Sequence, residues 1–335
     1  MKILKIKSWL QLFRAQTSPA TILLILIPYL ANASLFWLET LAIGLFALFA
    51  HWISFGHNSL LDSCIIPEKG KLPPDFTDPS KSHHPLIRGD ISLHEAHNVI
   101  HWSLSGLAVA AILLSLTISP NPLLAVISIF LWFVFGYAYN SGLSKESQLG
   151  FIPISVCFTS MGAWGWFLSH SSLNTTGWLY LGYVFFLILF QIAYEGHLKE
   201  LEIKERSNIL VKMGASVNGQ KRFAPGKSWI FAWLAKGFNL FFGALLLLEN
   251  FNTVRLVIFV LLSLAIFHRL YQLTKPRLYL RNKELLSMSI MEILTIYLAP
   301  WLILDPITTI ILEVIGVVYF FSINLWLWEK PFPRV

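Results

Sequence analysis

The sequence predicts an all-α membrane protein, a polytopic bundle of about nine to ten transmembrane helices. Three observations predict it. A mean hydropathy of +0.63, with 56% hydrophobic and only 13% charged residues, excludes a soluble domain of 335 residues. Roughly ten apolar runs approach or exceed the ~18 residues needed to cross a hydrocarbon core of about 30 Å. Basic residues also gather in every second loop, as they do where alternate loops face the cytoplasm.

Taken in order, the spans are expected near 18–34, 36–57, 95–118, 122–140, 149–169, 177–198, 228–248, 252–273, 285–303 and 306–328. Ahead of them, MKILKIKSWLQLFRAQTSP is basic and amphipathic without a small-residue cleavage site, which predicts a retained interfacial helix. The loops bearing Lys69, Lys71, Lys81 and Arg88, then Lys145, then the run from Lys199 to Lys227, then Lys275 to Lys283, alternate with loops almost devoid of Lys and Arg. This assigns both termini and the polar site to the cytoplasm, in one transmembrane domain over 1–335. The net charge of +7 is then a topology signal, and nucleic acid is a poor partner. Cys64 and Cys157 stand in no metal or disulfide spacing.

The polar chemistry concentrates in two long loops on the basic side. From His57 to Ser92 the chain is rich in His, Asp, Lys and Pro between two apolar runs. Asn58 and Asp62 lie one helical turn apart on a shared face, which His51 extends into the membrane. Mg²⁺ binds oxygen, through one or two carboxylates plus substrate phosphates, so this pair fits half a site; a helix end capped by its own polar residues fits equally. Asp75, Asp78 and the basic stretch to Arg88 follow. The second loop opens on YEGHLKELEIKERSNILVKMG, where Glu195 lies near the membrane plane and ionisable groups are costly. Glu195 with Lys199 and Glu200 with Lys204 also read as i,i+4 pairs of a solvated helix end. Tyr139 and Lys145 sit at the cytoplasmic end of the fourth span, placed either to hold a phosphate oxygen or to anchor at the interface. His94, His97 and His101 share a helix face and offer a transition-metal reading, although the paired histidine boxes of membrane di-iron oxygenases are absent.

In this order the pieces resemble the UbiA superfamily of intramembrane prenyltransferases. That pattern opens with Asn-Asp-x-x-Asp-x-x-x-Asp after the second span, which Asn58 and Asp62 fit, and continues through KSHHPLIRGDIS, with His84-Pro85-Leu86, Gly89 and Ile91-Ser92 in register. Tyr139 and Lys145 are similar to the family's Tyr and Lys after the fourth span. Asn208 to Gly214 resembles the end of its second acidic motif, and RAQTSPATILLILIP its first helix. The resemblance covers roughly residues 10 to 300 and leaves the span 306–328 as an addition. Departures accompany it. Ser59 and Ile66 stand where the first motif has aspartates, about a dozen extra residues hold Asp75 and Asp78, and the second motif has no Asp at all.

The resemblance implies a helix bundle around a central lipid-open cavity. It also implies Mg²⁺ between the two motifs and transfer of an isoprenyl group from a prenyl diphosphate to a lipophilic or aromatic acceptor among membrane lipids. The metal side would draw on Asn58, Asp62, Asp75, Asp78, Glu195, Glu200 and Glu202. Lys81, His84, Arg88, Lys145 and Lys199 would hold the diphosphate, and Asn58, Asp62, Tyr139 and Lys145 would form the catalytic set. Trp52, Trp102, Trp132, Trp164 and Trp166 are candidates for an aromatic wall that stabilises an allylic cation. A cyclase working without an acceptor and a non-catalytic isoprenoid-binding protein are the alternatives, the latter explaining the eroded acids directly.

Overall fold

The computed structural model describes residues 2–65, 85–143, 147, 149–199, 201, 208–218, 221–223, 226–274, 279–280 and 282–330. It describes backbone alone at 2–3, 62–65, 142–143, 199, 217–218, 221–223, 273–274, 279–280, 282–290 and 292.

Long apolar segments bounded by Asn, Ser, Asp and Pro form the helices. The short α1 (Lys2–Leu12) precedes a 3₁₀ turn (Ala15–Thr17) and α2 (Ser18–Leu30). Then come α3 (Leu38–Ile65), α4 (Leu93–Ile118), α5 (Pro122–Ala138), α6 (Phe151–Phe167) and α7 (Thr175–Phe190). The chain closes with α8 (Gly226–Glu249), α9 (Thr253–Thr274), α10 (Asn282–Ile303) and α11 (Pro306–Trp328). Helix starts carry side-chain caps: Ser92, Asn121, Asn174 and Asp305 each accept from a backbone N–H of the first turn. At Asp305 the Thr308 hydroxyl and the helix amides hold the carboxyl below its ordinary value.

Seven of these helices are long and apolar enough to cross a membrane, and an eighth if the bent pair formed by α1 and α2 is one span. The chain is an integral multi-pass membrane protein. Among the described residues the expected nine to ten spans are not confirmed, and α6 falls short of a full membrane length. One addition was not foreseen. Ser216–Asn218, Lys221–Phe223 and Tyr279–Leu280 pair as a small antiparallel sheet that joins two loops on the side of the candidate site.

Helices adjacent in sequence pack side by side from α3 to α10, and α10 returns to α2, which also meets α3, α6 and α11. Gly165 on α6 is what lets α2 approach, since a Cβ there would lie 2.2 Å from the Ile25 carbonyl oxygen. Small residues at such crossings are the membrane substitute for a hydrophobic driving force. Buried polar groups fasten the rest. Trp164 Nε1 donates to Ser115 Oγ at 2.9 Å, Tyr180 to the Leu24 carbonyl at 2.9 Å, and Tyr183 to the Thr295 carbonyl at 2.6 Å. The far end of the bundle is stitched by side chains onto backbone carbonyls: Asn32 onto Ser169, Asn121 onto Ser171 and Arg255 onto Leu304.

Candidate functional site

The two segments expected to carry chemistry share an irregularity. Tyr139–Leu143, continuing α5, and Gln191–Gly196, continuing α7, are π-helical. A π turn places side chains off the α-helical period and recurs at functional sites. Both occur at the end of the bundle where α3 finishes and the long loops emerge.

At the first segment, Asn58 on the last turns of α3 donates from Nδ2 to Asn140 Oδ1 at 3.1 Å. Asn140 Nδ2 in turn lies 3.2 Å from Nδ1 of the buried His57. The His57 ring stacks on Tyr137, with centroids 6.2 Å apart, and meets His101 edge-on at 5.8 Å. Tyr139 opens the π turn beside Asn140, so Asn58 and Tyr139 belong to one neighbourhood. Asp62 follows Asn58 by four residues on α3, which keeps both on one face. Ser59, where the resembling motif has an aspartate, is 1% exposed and packs inward.

Arg88 is engaged elsewhere: it pairs with Asp90 and donates from Nη2 to Gln11 Oε1 at 2.9 Å. The loop it belongs to packs Ile91 and Leu86 against Leu12, Phe13, Ile53 and Leu60, beside the end of α3. Lys81, His84, Asp75, Asp78 and Lys145, like Glu200 and Glu202, lie outside the described residues, and Asp62 and Lys199 are described by backbone alone.

The second segment brings Glu195 inside, at 2% exposure. After it, Asn208 donates to the His197 carbonyl at 2.7 Å and accepts from Leu210 N at 2.9 Å. This ties the turn Ile209–Lys212 back to the π segment, and Gly214, at φ 92°, ends that turn in a conformation that favours glycine. A charge absent from the sequence reading lies next door. Lys236 on α8 is fully buried, with Nζ 4.4 Å from the centre of the Phe190 ring, one residue before the π segment. A lone Lys inside an apolar run was the available signal, because an intramembrane cation is expensive.

Asn58 and Asp62 are oxygen-bearing residue types one turn apart on α3, the chemistry that a Mg²⁺ with phosphate and water as its remaining ligands takes. The histidine-metal reading finds no counterpart. Among the described residues no group of three His, Cys, Asp or Glu is placed to hold a metal ion. The rings of His97 and His101 stack at 4.0 Å, and His101 Nδ1 turns to the His97 carbonyl. The aromatic candidates divide: Trp132 and Trp164 cluster with Phe46 in the core, whereas Trp102 is 79% exposed on the outer surface of α4.

Comparison with solved structures places this architecture. A UbiA homologue from Archaeoglobus fulgidus bound to GPP and Mg²⁺ superposes with a TM-score of 0.62 at 17% identity, covering 88% of this chain and 99% of that one. An apo UbiA homologue from Aeropyrum pernix K1 gives 0.61 at 13%, covering 89% and 98%. A digeranylgeranylglyceryl phosphate synthase gives 0.58 at 18%, covering 90% and 99%. At these identities the likeness is one of fold. No curated protein matches the chain in sequence. The model of the UbiA prenyltransferase family, however, matches residues 74–290. With well over half of its length inside that match and the same fold around it, the chain belongs to the UbiA prenyltransferase family.

Proposed function

We propose that the chain is a Mg²⁺-dependent prenyltransferase that moves an isoprenyl group from a prenyl diphosphate to a lipophilic or aromatic acceptor, from a site on the cytoplasmic face. The observation that carries this reading is the pair Asn58 and Asp62 at the end of α3, with Asn58 hydrogen-bonded to Asn140 across the bundle, inside a fold whose solved relative binds GPP and Mg²⁺.

Asn58 and Asp62 would hold Mg²⁺ on one side and Glu195 on the other, with Asp75, Asp78, Glu200 and Glu202 as further acids from the loops. A Mg²⁺ held there would supply positive charge against that developing on the departing diphosphate. Tyr139 and Lys145 would hold diphosphate oxygens at the π turn, with Lys81, His84 and Lys199 supplying further positive charge or hydrogen bonds from the loops. Arg88, held by Asp90 and Gln11, serves this reading best as the anchor of the Pro85–Ser92 loop. The apolar interior would exclude water from the allylic cation, and aromatic faces turned toward it would stabilise it.

Release of diphosphate from geranyl, farnesyl or geranylgeranyl diphosphate, with and without Mg²⁺, tests the reading. Asp62→Asn is expected to abolish it, and unchanged turnover in that variant overturns the assignment. The buried Ser59 in place of an aspartate favours a second reading, a non-catalytic isoprenoid binder. Mg²⁺-dependent uptake of GPP without release identifies that case.

A further inference from the structure

We propose that His57 and Asn140 are positioning residues that present the side-chain oxygen of Asn58 to the cation accompanying the diphosphate. The inference rests on the prenyl-transfer reading and deepens it. The two ends of an asparagine amide are opposite in chemistry: the oxygen accepts hydrogen bonds and binds hard cations, whereas the NH₂ only donates. An amide with no fixed partner turns over at little cost and offers either end.

Here the choice is made by a chain of hydrogen bonds between α3 and the π turn. Asn140 presents Oδ1 to Asn58, which only the Asn58 nitrogen can satisfy, and the bond is 3.1 Å long. The Asn58 oxygen takes part in no hydrogen bond among the described residues and is the end left for a cation. Asn140 carries the same ambiguity one step back, and the His57 tautomer sets it. With the ring proton on Nε2, Nδ1, 3.2 Å from Asn140 Nδ2, accepts from that nitrogen and leaves the Asn140 oxygen for Asn58. His57 is itself buried and packed against Tyr137 and His101, so its ring has a fixed orientation. The π turn belongs to the device, because it moves residue 140 off the α-helical period of α5. Orientation from behind is the part that hydrogen-bonded second partners play for metal ligands generally. It weighs more in this chain, where the neighbour of Asn58 is Ser59 and not an acid.

The test is titration of Mn²⁺, an EPR-visible stand-in for Mg²⁺, onto the purified full chain in nanodiscs with GPP present. Asn140→Ala and His57→Phe are each expected to weaken Mn²⁺ binding about tenfold, the usual scale for loss of a partner behind a ligand. Asn58→Ala should weaken it at least as much. The double variant Asn58→Ala/Asn140→Ala should be no weaker than Asn58→Ala alone, because a positioning group has nothing left to position. A purely structural role for Asn140 would instead give additive losses together with a lowered unfolding temperature, and that outcome overturns the proposal. So does wild-type Mn²⁺ affinity in both Asn140→Ala and His57→Phe, the second variant deciding the matter if the first does not fold. Wild-type protein that takes up neither GPP nor Mn²⁺ overturns the prenyl-transfer reading and this inference with it. Wild-type protein that takes up both, beside variants that match it, overturns this inference alone.

Discussion

His51 shows how a residue type can point to chemistry and turn out to build the frame. On spacing alone it extends the Asn58 face into the membrane. In the structure its Nδ1 lies 2.7 Å from the Thr21 hydroxyl, and its Nε2 lies 3.1 Å from the Thr17 hydroxyl and 3.2 Å from the Arg14 carbonyl. Arg14 is the left-handed residue at the bend, with φ 49° and ψ 44°, a conformation that costs a non-glycine residue roughly 1–2 kcal/mol. His51 therefore pins the 53° break between α1 and the helix that follows. His51→Phe keeps a ring in place but takes its partner from the buried Thr21 hydroxyl, while the Thr17 hydroxyl and the Arg14 carbonyl keep each other. It is expected to cost about 1–3 kcal/mol, read as a lower unfolding temperature in detergent. Spacing could not separate the roles of His51 and His57, because the partners of both come from distant parts of the chain.

Among the elements, α1 was legible as a helix, but what it holds together was not. Lys5 pairs with Glu95 at 2.8 Å, Ser8 donates to Asp90 at 3.0 Å, and Lys7 reaches Glu329 at 3.7 Å. Gln11 divides its amide, accepting from Arg88 and donating to the Leu327 carbonyl at 3.0 Å. The N-terminal helix thus straps the Pro85–Ser92 loop to the C-terminal end of α11, the span that the family resemblance left as an addition. Exposed ion pairs contribute little, so Gln11 is the member to test. Gln11→Ala removes two hydrogen bonds at about 1 kcal/mol each and is expected to speed amide exchange in residues 86–92 by roughly tenfold or more. Unchanged exchange there means that apolar packing of Leu12 and Phe13 holds the strap without Gln11.

At the scale of the whole molecule, the alternation of basic and uncharged loops predicts that the site end is cytoplasmic. Cysteine labelling in a background without Cys64 and Cys157 checks this: a cysteine at Asn121 should react from outside intact cells, and one at Lys330 only after permeabilisation. The reverse pattern inverts the topology. The bundle itself was readable because a membrane span needs a long apolar run, and such runs are visible without any knowledge of partners. The two π turns, the small sheet and the buried Lys236 were not, since each depends on a neighbour brought in by packing.

The sequence by itself determined that this is a helical membrane protein, placed its polar residues at the mouths of helices, and carried the family resemblance in its order of motifs. Those properties are written in hydropathy and spacing, which are local. Only the tertiary structure decided which polar residues act together: Asn140 with Asn58 and His57 across 82 and 83 residues, Arg88 with Gln11 across 77. A hydrogen bond depends on the direction of two groups in space, and the number of residues between them in the chain does not specify that direction.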